Sequence, residues 1–225
     1  MKNKLLDKNS KGWDLIVNKL SSFLKNEVLP SVSVIAKHIG GPFHILISTM
    51  ISLRTKDSVT IEASRRLFKK ADTPEKISEL SEKTIEKLIY PAGFYKTKAK
   101  NLKKTAEILM LKHNSKVPKN MEELLKLPGV GRKTANLVRN LGYNLNGICV
   151  DTHVHRISNR TGWVSTSNPE ETEYALMDIL PEKYWISINE LLVMFGQVLC
   201  KPISPFCSKC PIIEHCRRVR VNKSR

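Results

Sequence analysis

An all-α fold is predicted for this 225-residue chain by three observations. Apolar residues recur every three or four positions in segment after segment, and helix-start signals precede several of those segments. No run shows sustained strand alternation. No internal repeat of solenoid length is visible either. The length suits one large domain or two modest ones, each with its own core.

Taken in order, residues 1 to 11 form a polar lead-in with little to order it. Trp13, Ile16, Val17, Leu20, Phe23 and Leu24 fall on one face of a first amphipathic helix. Pro30 and Gly40-Gly41-Pro42 then punctuate the chain. From Phe43 to Leu53 the chain is apolar nearly all round, as expected of a helix buried at the centre of a helical domain. Arg54-Thr55-Lys56-Asp57 leads into a helix carrying Val59, Ala63 and Phe68. Thr73-Pro74-Glu75 pairs a capping residue with proline at the first helical position. Ser81 opens a helix through Ile85, Leu88 and Ile89, and a loop is expected at Gly93-Phe94-Tyr95-Lys96. Ala99, Leu102, Ala106 and Leu109 mark the next helix, with Lys96, Lys100, Lys103 and Lys104 mostly on its other sides as a solvated or phosphate-facing surface. Further on, Asp151 starts a helix through Val154, Ile157 and Asn159 that stops near Gly162, and Asn168-Pro169-Glu170-Glu171 opens another. Trp185 to Leu199 is the last long helix.

Lysine and arginine total 38 against 21 acidic residues, a formal charge of +17. Such an excess describes partners, not fold, and fits a polyanion: nucleic acid or an acidic membrane surface. No stretch approaches the roughly 20 uninterrupted apolar residues of a membrane span. Met1 to Lys8 has neither the apolar core of a signal peptide nor the arginines of a transit peptide. Nucleic acid is the better partner, in a cytoplasmic, nucleoid-associated setting.

Four of the five cysteines crowd near the end as C-x6-C-x2-C-x5-C: Cys200, Cys207, Cys210 and Cys216. That density argues for a metal site over a disulfide framework. Stiffened by Pro202, Pro205 and Pro211, the four thiolates form a tetrahedral ligand set that could hold zinc or an iron–sulfur cluster. Cys149 stands outside the pattern and reads as a small buried hydrophobe. Between Val198 and Arg225 seven basic residues, among them Lys201 and Lys209, accompany a single acid, Glu214. The loop should turn this charge toward phosphates.

The stretch Leu127 to Asn136 (LPGVGRKTAN) reads as two short helices joined by a tight glycine turn. Asn120 caps the first, over Met121, Leu124, Leu125 and Leu127, and Pro128 stops it. Gly129 and Gly131 permit backbone angles and a close approach that a Cβ would obstruct. The second helix starts near Arg132 and buries Ala135, Val138 and Leu141. Its first amide N–H groups would cradle a backbone phosphate. Lys133, in that first turn, is either a nucleophile able to form a Schiff base or one more phosphate-binding cation.

This stretch, followed by Val150-Asp151-Thr152-His153, resembles the helix-hairpin-helix and catalytic aspartate of the endonuclease III family of DNA glycosylases. The resemblance runs from about Pro42 to Cys216 and includes the full cysteine spacing of that family's [4Fe–4S] loop. It implies two helical domains with the active-site cleft between them: residues 35–145 with the helix-hairpin-helix, and residues 1–34 plus 146–225 around the cluster. It implies excision of oxidised or ring-saturated pyrimidines, such as thymine glycol, from double-stranded DNA, with an associated apurinic/apyrimidinic (AP) lyase acting by β-elimination. Lys133 would be the nucleophile and Asp151 the proton-handling carboxylate, although an aspartate there is also a natural N-cap.

Gly129, Gly131, Arg132, Lys201 and Lys209 would then contact DNA. Arg54 stands where the family commonly carries glutamine, reaching into the space left by the flipped nucleotide, or else contacts an ordinary phosphate. Phe94 matches the apolar wedge of the insertion loop, or packs in the core with Tyr95. His153 either meets DNA near the lesion or packs at its helix start. The alternatives are a mismatch- or adenine-type monofunctional glycosylase of the same superfamily and a non-catalytic helix-hairpin-helix module using zinc for stability. Against the first, base-only members lack a lysine at the position of Lys133, and the extra C-terminal domain of adenine-specific members is not seen. A monomer is expected.

Overall fold

The computed structural model describes Lys8 and residues 11–225, so most of the expected N-terminal lead-in lies outside the described residues. Among the described residues every regular element is helical: twelve α-helices and three short 3-10 turns. The chain divides into two compact units, Pro30–Leu145 and a second assembled from both ends, Met1–Leu29 with Asn146–Arg225.

The Pro30–Leu145 unit is organised around α3 (Pro42–Ser52), whose residues Ile45 to Ile51 are all buried. Around it pack α2 (Ser31–His38), α4 (Asp57–Lys70), α7 (Tyr95–His113) and α9 (Arg132–Tyr143). The approach of α9 is close enough that a Cβ on Gly142 would stand 3.1 Å from the Pro42 backbone. Helices α5 (Pro74–Glu79) and α6 (Glu82–Ile89) lie against α7, and α8 (Met121–Leu125) against α9. The predicted caps form: the Thr73, Ser81 and Asn120 side chains each accept the amide N–H three residues on.

Helix α2 is absent from the sequence reading. It runs only eight residues, and the Asp57 carboxylate, 26 positions away, accepts from the Ser31 amide at 3.2 Å and hydroxyl at 2.5 Å. A short helix capped from a distance leaves little local signal.

The unit built from both ends has one continuous core. Trp13, Ile16, Leu20 and Leu24 of α1 (Lys11–Leu24) meet Val154 and Ile157 of α10 (Thr152–Thr161), Leu176 of α11 (Pro169–Ile179) and Leu192 and Phe195 of α12 (Ile188–Val198). Trp13 and Trp163 stand edge to face, centroids 4.9 Å apart. Cys200 and Ile212 belong to this same core, so the cysteine loop grows directly out of it. Cys149 is fully buried, as a small hydrophobe would be. Helix α12 starts three residues later than the pattern from Trp185 predicts, because Trp185 closes a 3-10 turn (Glu182–Tyr184) and its indole N–H donates to the Leu180 carbonyl at 2.9 Å.

Candidate active site and nucleic-acid interface

The hairpin forms as read, and its two glycines do different things. Gly129 has φ +78°, the left-handed region, and a Cβ there would crowd Asn101 of α7 at 2.7 Å. Gly131 has ordinary backbone angles, φ −103°, and a Cβ on it would meet nothing within 4 Å. Of the two roles expected of these glycines, the special backbone angle belongs to Gly129 only. Gly131 instead leaves open space in front of the start of α9, where a large ligand atom can approach the backbone.

As N-cap of α9, Gly131 offers no side chain. Arg132 and Lys133 are the first two residues of that helix, both half-buried. The helix is anchored behind them by buried Thr134, Ala135, Asn136, Leu137 and Val138, while Leu141 is only half-buried. Lys133 is thus held on a rigid element, at the helix end that attracts anions.

Asp151 caps α10. Its Oδ1 accepts from the His153 and Val154 amides, each at 2.9 Å. Oδ1 therefore fixes the side chain at the helix start, as expected of an aspartate N-cap. His153 packs at the helix start: a Cβ on Gly196 would run into its ring, and Arg156 reaches its Nδ1 at 3.2 Å.

Two left-handed corners stand out on the Pro30–Leu145 unit. Arg54 (φ +53°) follows α3, and Phe94 (φ +57°) precedes α7; both side chains are exposed, Phe94 by 63%. Exposure excludes Phe94 as a core aromatic. Helix α7 takes in Tyr95 and Lys96, which the sequence placed in the loop; the loop itself ends on Phe94. The Arg54 guanidinium lies 5.5 Å from the centre of the Phe94 ring. Behind them is Lys98, 7% exposed and unremarked in the sequence. Its signal was there: Lys98, Ala99, Leu102, Thr105, Ala106 and Leu109 form a single buried stripe on α7.

The cysteine loop is held by side chains that sequence reasoning missed. Arg160, 8% exposed, donates to Cys200 Sγ at 3.3 Å, to the Lys201 carbonyl at 2.7 Å and to the Pro202 carbonyl at 2.9 Å. Arg156 donates to the Cys200 carbonyl at 2.9 Å. The Arg218 amide donates to Cys216 Sγ at 3.4 Å. Burial, with the neighbouring Cys216, Cys200 and Cys207 sulfurs, pushes the Cys210 thiol up to about 11, so the four thiols sense one another.

Among the described residues no group of three or more His, Cys, Asp or Glu side chains is placed to hold a single metal ion. Thiolates bonded to one zinc at ~2.3 Å would stand only about 3.8 Å apart. A four-iron core, taking one thiolate per iron, spreads the same ligands wider. Four cysteines in one loop, with N–H donors aimed at the Cys200 and Cys216 sulfurs, are the kind of donor set such a core takes. Of the surrounding cations, Lys201 is half-buried over the Phe206 ring and Lys209 is exposed. Arg225 is engaged within the loop, 3.9 Å over Phe206 and bonded to the Ser204 carbonyl. The basic charge expected to face phosphates is to that extent used internally.

Among the described residues no helix is long and apolar enough to cross a membrane. A family model for the HhH-GPD superfamily of base excision DNA repair proteins matches residues 47–182. Endonuclease III of Thermotoga maritima is 48% identical over 179 residues, which cover 80% of this chain and 84% of that protein. The chloroplastic endonuclease III homolog 2 of Arabidopsis thaliana is 44% identical over 220 residues; the match takes in 91% of this chain but only 57% of the longer plant protein. Among solved structures, a trapped covalent intermediate of endonuclease III with DNA, an estranged-adenine complex, superposes with a TM-score of 0.78 at 33% identity, covering 92% of this chain and 96% of that one.

Proposed function

This chain belongs to the endonuclease III family, within the HhH-GPD superfamily of base excision DNA repair proteins, and on that premise we propose that it excises damaged bases from duplex DNA and nicks the strand at the abasic site, with Lys133 as nucleophile and Asp151 as catalytic carboxylate. The observation that carries the reading is the position of Lys133: second residue of α9, beside a Gly131 whose outer side is open. A phosphate seated at that helix start brings the adjoining sugar to the amine.

The damaged nucleotide leaves the stack, aided by Arg54 and Phe94. The Lys133 amine forms a bond to C1′ as the bond to the base breaks. Asp151 stabilises the positive charge developing on the sugar and takes the proton released by the amine. The departing base takes a proton from solvent. The proton held by Asp151 passes to O4′ as the C1′–O4′ bond breaks, and the C1′–N bond becomes an imine. The imine acidifies C2′–H, and loss of that proton to water breaks the C3′–O bond and expels the 3′ phosphate. Water then hydrolyses the imine and frees Lys133. Gly129, Gly131 and Arg132 hold the backbone, and Lys201 and Lys209 add phosphate contacts. His153, braced by Gly196 and Arg156, is assigned a contact near the lesion.

The substrates are oxidised or ring-saturated pyrimidines, in DNA reached in the cytoplasm. The test is incubation with duplexes carrying thymine glycol, uracil, mismatched thymine, 8-oxoguanine or an abasic site. Release and nicking should be fastest on thymine glycol, and the abasic duplex should be nicked and trapped by borohydride. Preference for mismatched thymine or 8-oxoguanine would overturn the substrate assignment.

Cys200, Cys207, Cys210 and Cys216 would hold a [4Fe–4S] cluster that orders the basic loop, with no part in the bond changes. Cys210→Ser should lose the broad visible absorbance of the brown protein and about 4 kcal/mol of stability. Cys149→Ala should keep the colour. Colourless parent protein containing zinc would refute the cluster.

A further inference from the structure

We propose that Lys98 is a positioning residue that locks the Arg54 and Phe94 corners together, so that the two side chains enter a duplex as one unit. The proposal rests on the reading that these corners meet DNA.

The Lys98 ammonium donates to the carbonyls of Ile51 and Leu53, each at 2.6 Å, and to Thr55 Oγ1 at 2.8 Å. The two carbonyls lie at the end of α3, where the last turn has no intrahelical partners and attracts a cation. Thr55 passes the restraint on. Its hydroxyl donates to Leu53 O at 3.3 Å and accepts from the Gly93 amide at 3.0 Å, so one lysine fixes both segments flanking the exposed pair. Gly93 completes the joint, because a Cβ on it would collide with the Arg54 carbonyl.

Arg54 and Phe94 are both non-glycine residues in the left-handed region, a conformation that persists where neighbouring structure over-determines it. An apolar residue would fill position 98 on this stripe without desolvating a charge, so the ammonium is explained by what it holds. Burial lowers the Lys98 ammonium to about 8, leaving it mostly charged at neutral pH. With its three N–H donors engaged and 7% of its surface exposed, it is no competitor to Lys133 as a nucleophile.

The experiment uses the full-length protein and a duplex with 2-aminopurine opposite a tetrahydrofuran abasic analogue, read by fluorescence as the base unstacks. Nicking of a single-stranded abasic oligonucleotide is measured alongside, since it needs Lys133 but no duplex insertion. Lys98→Met should lose most of the fluorescence rise and raise KM for duplex substrate by about tenfold to a hundredfold. Single-strand nicking should stay within about threefold. Lys98→Gln, which keeps two donors, should fall between. Thr55→Val removes the link to Gly93 together with the Thr55 bonds to Lys98 and Leu53, and leaves Lys98 on the Ile51 and Leu53 carbonyls. It should shift the same readouts in the same direction, which carries the test if Lys98→Met fails to fold. Phe94→Ala probes the underlying reading and should also abolish the signal. If Phe94→Ala keeps the full signal, the corners do not enter the duplex and both readings fall. If Phe94→Ala loses it while Lys98→Met and Thr55→Val match the parent, Lys98 only stabilises the fold and the proposal is overturned.

Discussion

Lys133→Gln should abolish both borohydride trapping and strand nicking on abasic DNA, by a factor of about 10³ or more. Glutamine nearly preserves side-chain length, hydrogen-bonding capacity and helix propensity, but its amide nitrogen cannot form an imine. Position 133 is the second residue of a helix anchored by buried Thr134, Ala135 and Val138, so the fold should hold to within about 0.5 kcal/mol. DNA affinity should weaken by no more than the loss of one phosphate-facing charge, seen as a salt slope smaller by about 1. These outcomes separate the two readings of the lysine. A nucleophile loses chemistry and keeps binding, whereas a phosphate-binding cation loses binding and keeps chemistry. Trapping and nicking at the parental rate would remove Lys133 from the mechanism.

The second large effect is expected at Asp151. Asp151→Asn should lower cleavage by about 10² to 10⁴ while duplex binding and melting temperature stay close to those of the parent. Asparagine caps helices about as well as aspartate, and the bonds to the His153 and Val154 amides both use Oδ1, which the amide retains. Only the ability to accept a proton and to carry negative charge is lost. Asp151→Ala, by contrast, removes the cap as well and should cost a further ~1 kcal/mol of stability. If Asp151→Asn cleaves normally, the residue is a helix cap and nothing else.

Most helices, their caps and the cysteine spacing were legible in the sequence because each depends on residues within one or two turns. The stripe from Trp13 to Leu24 (except Phe23, which is exposed), the Thr73-Pro74 and Asn168-Pro169 starts and the Leu127–Asn136 hairpin all formed where they were read. The cysteine loop, too, grows out of the core at Cys200 directly after the last helix, as its place in the sequence suggested.

Local sequence was silent wherever a partner lies far along the chain. Helix α2 depends on Asp57, 26 positions from the Ser31 that it caps. Whether Phe94 belonged to the core or the surface turned on Thr55 and Arg54, about forty residues upstream. The α7 stripe placed Lys98 on the buried face, but the α3 carbonyls that hold its charge lie 45 and 47 positions away and left no local trace. Arg160 met Cys200 across 40 positions. The amino-acid sequence alone determined most of the helices and the candidates for the chemistry, since periodicity, capping and thiol spacing act over a few residues. Tertiary packing decided which glycine is strained, which aromatic is exposed and which cations are buried, because a buried charge is tolerated only where distant backbone groups gather to solvate it.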